Sequence, residues 1–150
     1  MSNSYWRFVE PIWDSISIYD DEEIFLKEFN KASERQKNLF AAHWAQSEIM
    51  NGGLGQFFSN STGILAPEAV EAFNAIGMPN CASILSGAMK FFGKNYPRER
   101  NLRENAFDTF YERYGEQAIP IEEYEDAMAT ELEEENGGFE KAANDYANKK

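Results

Sequence analysis

Apolar residues along this chain recur at three- and four-residue intervals, in runs broken by Gly, Pro or Asn, and that pattern admits little besides a succession of helices. Alternating β-branched runs, the signal of half-buried strands, are nearly absent. Pro11 is expected to open a short helix through Ile12, Trp13 and Ile16, and Asp21 to cap a second through Ile24, Phe25 and Phe29. Ser33 caps a long segment containing Leu39, Phe40, Trp44, Ile49 and Met50. That segment should stop at Asn51-Gly52-Gly53, where Gly or Asn can take the left-handed conformation that ends a helix. Pro67 starts Ala69, Val70, Phe73 and Ile76, ended by Gly77, and Pro79 starts Ile84, Leu85, Met89 and Phe92, ended by Gly93.

After Tyr96-Pro97, the spacing of Leu102, Ala106, Phe110 and Tyr114, with Phe107 and Tyr111 alongside, predicts an amphipathic helix stopped at Gly115. Pro120 opens the next, with the stripe Ile121, Tyr124, Met128 and Leu132, and Asn136-Gly137-Gly138 ends it before a short helix from Phe139 to Ala147. The echo of Asn51-Gly52-Gly53 in Asn136-Gly137-Gly138 reads as one helix-stop chemistry used twice, not as a repeat. The expectation is a single all-α domain over residues 1–150 with about eight or nine helices and no linker. A chain of 150 residues can bury roughly two thirds of its unfolded surface, and 43% hydrophobic residues, with Phe 12, Tyr 7 and Trp 3, supply the core.

The charge is uneven. Fourteen Lys and Arg stand against 26 Asp and Glu, a formal charge of −12. By successive blocks of fifty residues the charge is −4, +1 and −9. Between Arg113 and Lys141 there is no basic residue, while Glu116, Glu122, Glu123, Glu125, Asp126, Glu131, Glu133, Glu134, Glu135 and Glu140 occur. The smaller run Asp20-Asp21-Glu22-Glu23 fits the first turn of a helix, where acids complement the macrodipole. Binding a polyphosphate requires clustered Lys and Arg, so this composition is expected to repel nucleic acid and anionic membranes. One cysteine, Cys81, allows no intramolecular disulfide and fits a reducing cytoplasm. The first residues, Met1 to Arg7, show no leader pattern, and no uncharged apolar run approaches the ~20 residues of a membrane span.

The densest unusual segment runs from Glu48 to Gly63. Three glycines within four residues permit sharp turns, with Phe57 and Phe58 beside Gln56, Asn60 and Ser61. These polar residues either line a pocket or cap helix ends and satisfy backbone groups at a tight corner. The pattern Glu48-x-x-Asn51-Gly52-Gly53-x-x-Gln56-Phe57-Phe58-x-Asn60-Ser61-x-Gly63, followed by Ala75-Ile76-Gly77, resembles the signature of a domain-of-unknown-function family typified by the bacterial DNA mimic protein 19. The resemblance covers about residues 22–114. Leu54 stands where that family is expected to carry an aromatic residue, and the acidic helices of about residues 98–149 lie largely beyond the motif. The resemblance implies an all-helical fold, a possible homodimer and, for the family's namesake, a role as an acidic decoy for a DNA-binding protein.

Display of carboxylates in imitation of phosphates needs regular spacing on a rigid element, and positions i and i+4 of a helix lie about 5–6 Å apart. Glu104, Asp108 and Glu112 follow that spacing, with Glu116 next in sequence. Glu122, Asp126 and Glu133 fall opposite Met128 on their helix, with Glu123 and Glu134 nearby. Glu133, Glu134 and Glu135 crowd a helix C-terminus, where each charge is disfavoured by roughly 0.3–1 kcal/mol. Nothing near in sequence compensates them, and a local rule broken in this way marks a place to look for function.

Chemistry is harder to find. His43, the sole histidine, has no evident nucleophile partner. One His and one Cys make no zinc motif, Asp20 to Glu23 lacks EF-hand spacing, and no phosphate-binding loop is present. No cofactor or metal is expected. The leading expectation is a cytoplasmic non-enzymatic protein that binds a basic DNA-binding protein through Glu104, Asp108, Glu112, Glu122, Glu123, Asp126, Glu133 and Glu134, while Glu48, Asn51, Gly52, Gly53, Gln56, Phe57, Phe58, Asn60, Ser61 and Gly63 shape the fold. The alternatives are an immunity-type inhibitor of a nuclease toxin, a small-ligand or enzymatic domain using the Glu48–Ser61 corner, with Glu48 as a base beside Ser61, and an interaction protein without mimicry.

Overall fold

The computed structural model describes residues 4–115 and 119–150, and among these it contains helices and 3-10 turns but no strand. The α-helices in chain order are α1 (Trp6–Val9), α2 (Glu22–Phe29), α3 (Glu34–Ser59), α4 (Ala66–Ala75), α5 (Pro79–Met89), α6 (Arg100–Tyr114), α7 (Glu125–Glu134) and α8 (Phe139–Ala147). Most ends follow from local chemistry. The Asp21 carboxylate accepts the Ile24 N–H at 3.0 Å, and Ser33 and Gln36 exchange side-chain and backbone bonds in a capping box.

Two starts differ from expectation. The first helix begins before Pro11, which lies in a 3-10 turn, Glu10–Ile12. A distant contact helps place this start, since the Tyr5 N–H donates to Asn144 Oδ1 at 2.8 Å. Pro120 opens a 3-10 turn, Pro120–Tyr124, that leads into α7 instead of opening α7 itself.

The expected stop at Gly53 is instead a bend. Gly53 has φ 85° and ψ 177°, and α3 resumes directly after it, giving a long arm of residues 34–52 and a short arm of residues 54–59. A side chain here would be strained by the positive φ, and its Cβ would meet Glu125 Oε2 at 2.5 Å. A restarted helix exposes unpaired N–H groups, and Glu125 takes two of them. Its carboxylate accepts the Leu54 and Gly55 N–H groups at 3.0 Å each.

The other end of the short arm receives a cation. Arg103 of α6 is fully buried, and its guanidinium donates to the carbonyls of Phe58 (2.7 Å), Asn60 (2.9 Å), Pro97 (3.1 Å) and Arg98. Positive charge against the last carbonyls of a helix is the favourable sense of the macrodipole. The guanidinium fits because Gly63 has no side chain, as a Cβ there would stand 2.6 Å from Arg103 Nε. The arm is thus held by an anion from α7 at its start and a cation from α6 at its end.

Around α3 the core is aromatic. Phe25, Phe40, Phe57, Phe58 and Phe73 are fully buried, each worth about 1.5–3 kcal/mol of transfer free energy. Phe58, Phe92, Phe91 and Phe107 form a continuous run of ring contacts that seats α6 on the short arm. Here the expected face of α6 requires correction: Arg103 and Phe107 are buried, while Leu102, Tyr111 and Tyr114 are about half exposed. The buried guanidinium turns the helix away from the orientation its apolar stripe suggested.

Midway along the long arm, Trp13 stacks on Trp44 (5.0 Å, 11°), and His43 lies among Tyr5, Trp6 and Trp13. The Tyr5 hydroxyl is 2.7 Å from His43 Nδ1. Burial, reinforced by the charge of Glu140, pushes Tyr5 up to about 12, and burial holds His43 below its ordinary 6.5.

Replacing Arg103 by Met should lower unfolding free energy by about 2–4 kcal/mol, because buried carbonyls at the end of α3 lose their donors; urea denaturation measures this. The fold favours neutral His43, so the stability it contributes is complete above the unfolded pKa of about 6.5 and is lost as pH falls from there through the lower folded value. Thermal midpoints between about pH 7.5 and pH 5.5 should therefore fall more steeply for the wild type than for His43→Gln.

Candidate functional site

The clamped short arm, with Gly52 just before the bend, is the floor of a cleft of about 640 Å³ between α6 and the segment leading into α7. Gly52, Gly55 and Ser59 supply the floor, and small side chains there leave depth; among the described residues no atom beyond the helix's own backbone and Gly55's chain neighbours lies within 4 Å of where a Cβ on Gly55 would stand. One wall is Glu104, Phe107, Asp108 and Tyr111 of α6, and the other is Ile119, Ile121, Glu122 and Glu125. Four carboxylates thus surround one concavity whose remaining wall is aromatic and aliphatic. Glu125 is committed to the backbone beneath, and Glu104 is paired with Arg100 at 2.9 Å. Asp108 and Glu122 are exposed and have no ion-pair partner among the described residues.

The eight acids singled out in the sequence are all exposed, but they do not form one face. Glu104, Asp108 and Glu122 share the cleft. Glu112 lies one turn beyond Asp108 on α6, and Asp126 and Glu134 lie on α7 outside the cleft lining. Glu123 lines a neighbouring groove with Lys90, Phe91 and Tyr124. Glu133 borders a separate cavity of about 580 Å³ formed with Tyr5, Trp6, Met50 and Phe139. Glu116 lies outside the described residues, as do Met1 to Asn3.

Of the three acids crowding the end of α7, Glu135 is compensated by tertiary structure. Glu135 accepts the Asn80 and Cys81 N–H groups at 2.7 and 2.9 Å, placing a carboxylate on the N-terminus of α5, and Glu131 accepts from the Asn80 side chain at 3.1 Å. A charge unfavourable to its own helix is favourable to the next. Burial and the neighbouring Glu135 push the Cys81 thiol above its ordinary range. Glu125, Glu131 and Glu135 therefore dock α7, while Glu122, Glu123, Asp126, Glu133 and Glu134 stay exposed.

The Glu48–Gly63 corner is tied to itself. The Glu48 carboxylate accepts from Asn60 Nδ2 at 2.7 Å and Gln56 Nε2 at 3.3 Å, and Thr62 Oγ1 lies 3.2 Å from it. The side-chain amides of Gln56 and Asn60 brace Glu48 across the bend, in place of the pocket or backbone groups that the sequence suggests for them. Phe57, Phe58 and Gly63 are buried, whereas Asn51 is exposed. Ser61 begins the 3-10 turn Ser61–Leu65 and borders a cavity of about 340 Å³ with Arg98, Arg100 and Arg103, apart from Glu48. Arg103, Glu125, Glu135 and Thr62 went unrecognised in the sequence because their partners are remote backbone atoms or, for Thr62, a carboxylate fourteen residues away.

Among the described residues no group of three His, Cys, Asp or Glu side chains is disposed to hold a metal ion, and no helix is long and apolar enough to cross a membrane. A family model described as DMP19-like protein matches residues 30–150, extending past the glycine-rich motif through α7 and α8. No curated protein and no solved structure matches the chain.

Proposed function

Because this chain belongs to the DMP19-like protein family, we propose that it binds a basic, DNA-binding protein through the acidic cleft and competes with nucleic acid for that partner. The observation that carries this reading is the meeting of Glu104, Asp108 and Glu122 from two elements around one concave, partly aromatic site. A guanidinium entering the cleft finds carboxylates on both walls, with two-pronged hydrogen bonding available, and the Tyr111 ring offers a face to the same cation. Carboxylates one helical turn apart present repeated charge about 5–6 Å apart. The outward acids of α7 extend the negative field, which speeds encounter with a positive surface and makes association sensitive to salt.

The partner class is a protein whose Arg and Lys side chains otherwise grip phosphates, whether a transcription factor or a nuclease. Direct attraction of nucleic acid is opposed by the net charge of −12.

Capture of a DNA-binding protein from native lysate on the immobilised full chain should weaken along a salt gradient and be displaced by duplex DNA. The double variant Asp108→Lys with Glu122→Lys should reduce capture by about tenfold or more while the circular dichroism spectrum stays helical. Gly55→Leu separates shape from charge: it replaces a helical glycine in open space, so stability should hold or rise by about 0.5–1 kcal/mol, yet the filled cleft should capture less partner. Capture indifferent to salt and to these three substitutions would refute the proposal.

A further inference from the structure

The apolar stripe of α6 that the fold leaves uncovered forms a second surface. Leu102 and Tyr114 are 49% and 45% exposed. Phe91 meets Phe110 edge to face at 5.8 Å, and Tyr114 packs on Phe110 at 4.8 Å. Between Phe91 and Tyr114 a shallow groove of about 360 Å³ runs along α6, with Ala106 and Phe110 in its wall. Its polar lining is Asn105, Thr109 and Arg113, so that in a chain with 26 acids no carboxylate among the described residues lines it.

We propose that this groove docks an apolar, carboxylate-bearing segment of a partner protein, on a face separate from the acidic cleft and of opposite electrostatic preference. Exposed aromatic side chains beside an arginine are the composition of binding hot spots. Arg113 is exposed, lies over the Tyr114 ring at 5.9 Å, and has no carboxylate partner among the described residues. Beyond Phe91 and Tyr114 the groove continues to Lys90, with Glu123 at its far side. A segment with leucine-like side chains on the aromatic floor and a carboxylate opposite Arg113 satisfies both features. A second copy of this chain fits less well, because a two-fold contact brings the same surface together twice, setting Arg113 near its own counterpart and joining two molecules of charge −12.

Two labelled amphipathic helical peptides with the same leucine face, one flanked by glutamates and one by lysines, are titrated against the full chain by fluorescence anisotropy. The glutamate-flanked peptide should bind, and Arg113→Glu and Tyr114→Ser should each weaken it by about tenfold or more. Neither substitution should alter helicity or weaken binding of the lysine-flanked peptide. Failure of the glutamate-flanked peptide to bind, or binding unchanged in Arg113→Glu, overturns the proposal. Self-association in sedimentation that Tyr114→Ser abolishes also overturns it, by assigning the groove to a second copy.

Discussion

The short arm of α3 is the reference to which the rest of this structure is fixed. A helix broken at Gly53 must have the N–H groups of its second start satisfied, and one carboxylate, Glu125, accepts both the Leu54 and Gly55 amides. At the other end the buried Arg103 guanidinium occupies the carbonyls that the helix leaves unpaired. Anion at the start and cation at the end both follow the sense of the helix dipole. Since the anion belongs to α7 and the cation to α6, the two acidic helices are positioned by the same six-residue arm, and the cleft between them has that arm as its floor.

The excess of acid divides into two populations once it is placed in three dimensions. Glu48, Glu125 and Glu135 are spent on internal donors: side-chain amides for the first, backbone N–H groups for the other two. Asp108, Glu112, Glu122, Asp126 and Glu134 remain at the surface. Net charge alone therefore overstates what is available for a partner, and the division makes some substitutions structural and others electrostatic. Charge on α7 in particular serves both ends: it attaches the helix to its neighbours and leaves a negative outer side.

Helix order and most helix ends were readable in the sequence because their causes are local. Asp21, Ser33 with Gln36, and the positive-φ glycines at 77, 93 and 115 act within a few residues of themselves. The spacing of Glu48, Gln56 and Asn60 likewise marked a corner, although not which atoms they bind. What could not be read is long-range. Glu125 lies 71 and 70 residues from the amides it accepts, and Arg103 lies 45 residues from the Phe58 carbonyl. A fully buried arginine also defeats hydropathy, which assigns it to the surface and so rotates α6 in the wrong sense. The acids of the cleft were individually identifiable, but their division between the cleft, the outer side of α7 and a separate cavity depends on that rotation and on the bend at Gly53.

Titration of isotope-labelled chain with its captured basic partner, followed by amide resonances, locates the surface that the partner covers. Perturbed amides should concentrate at Glu104–Glu112, at Ile119–Asp126 and on the floor at Gly52, Gly55 and Ser59, and duplex DNA should restore the free spectrum. Perturbations confined to Asp20–Glu23 or to the aromatic groove, with the cleft amides unmoved, would contradict it.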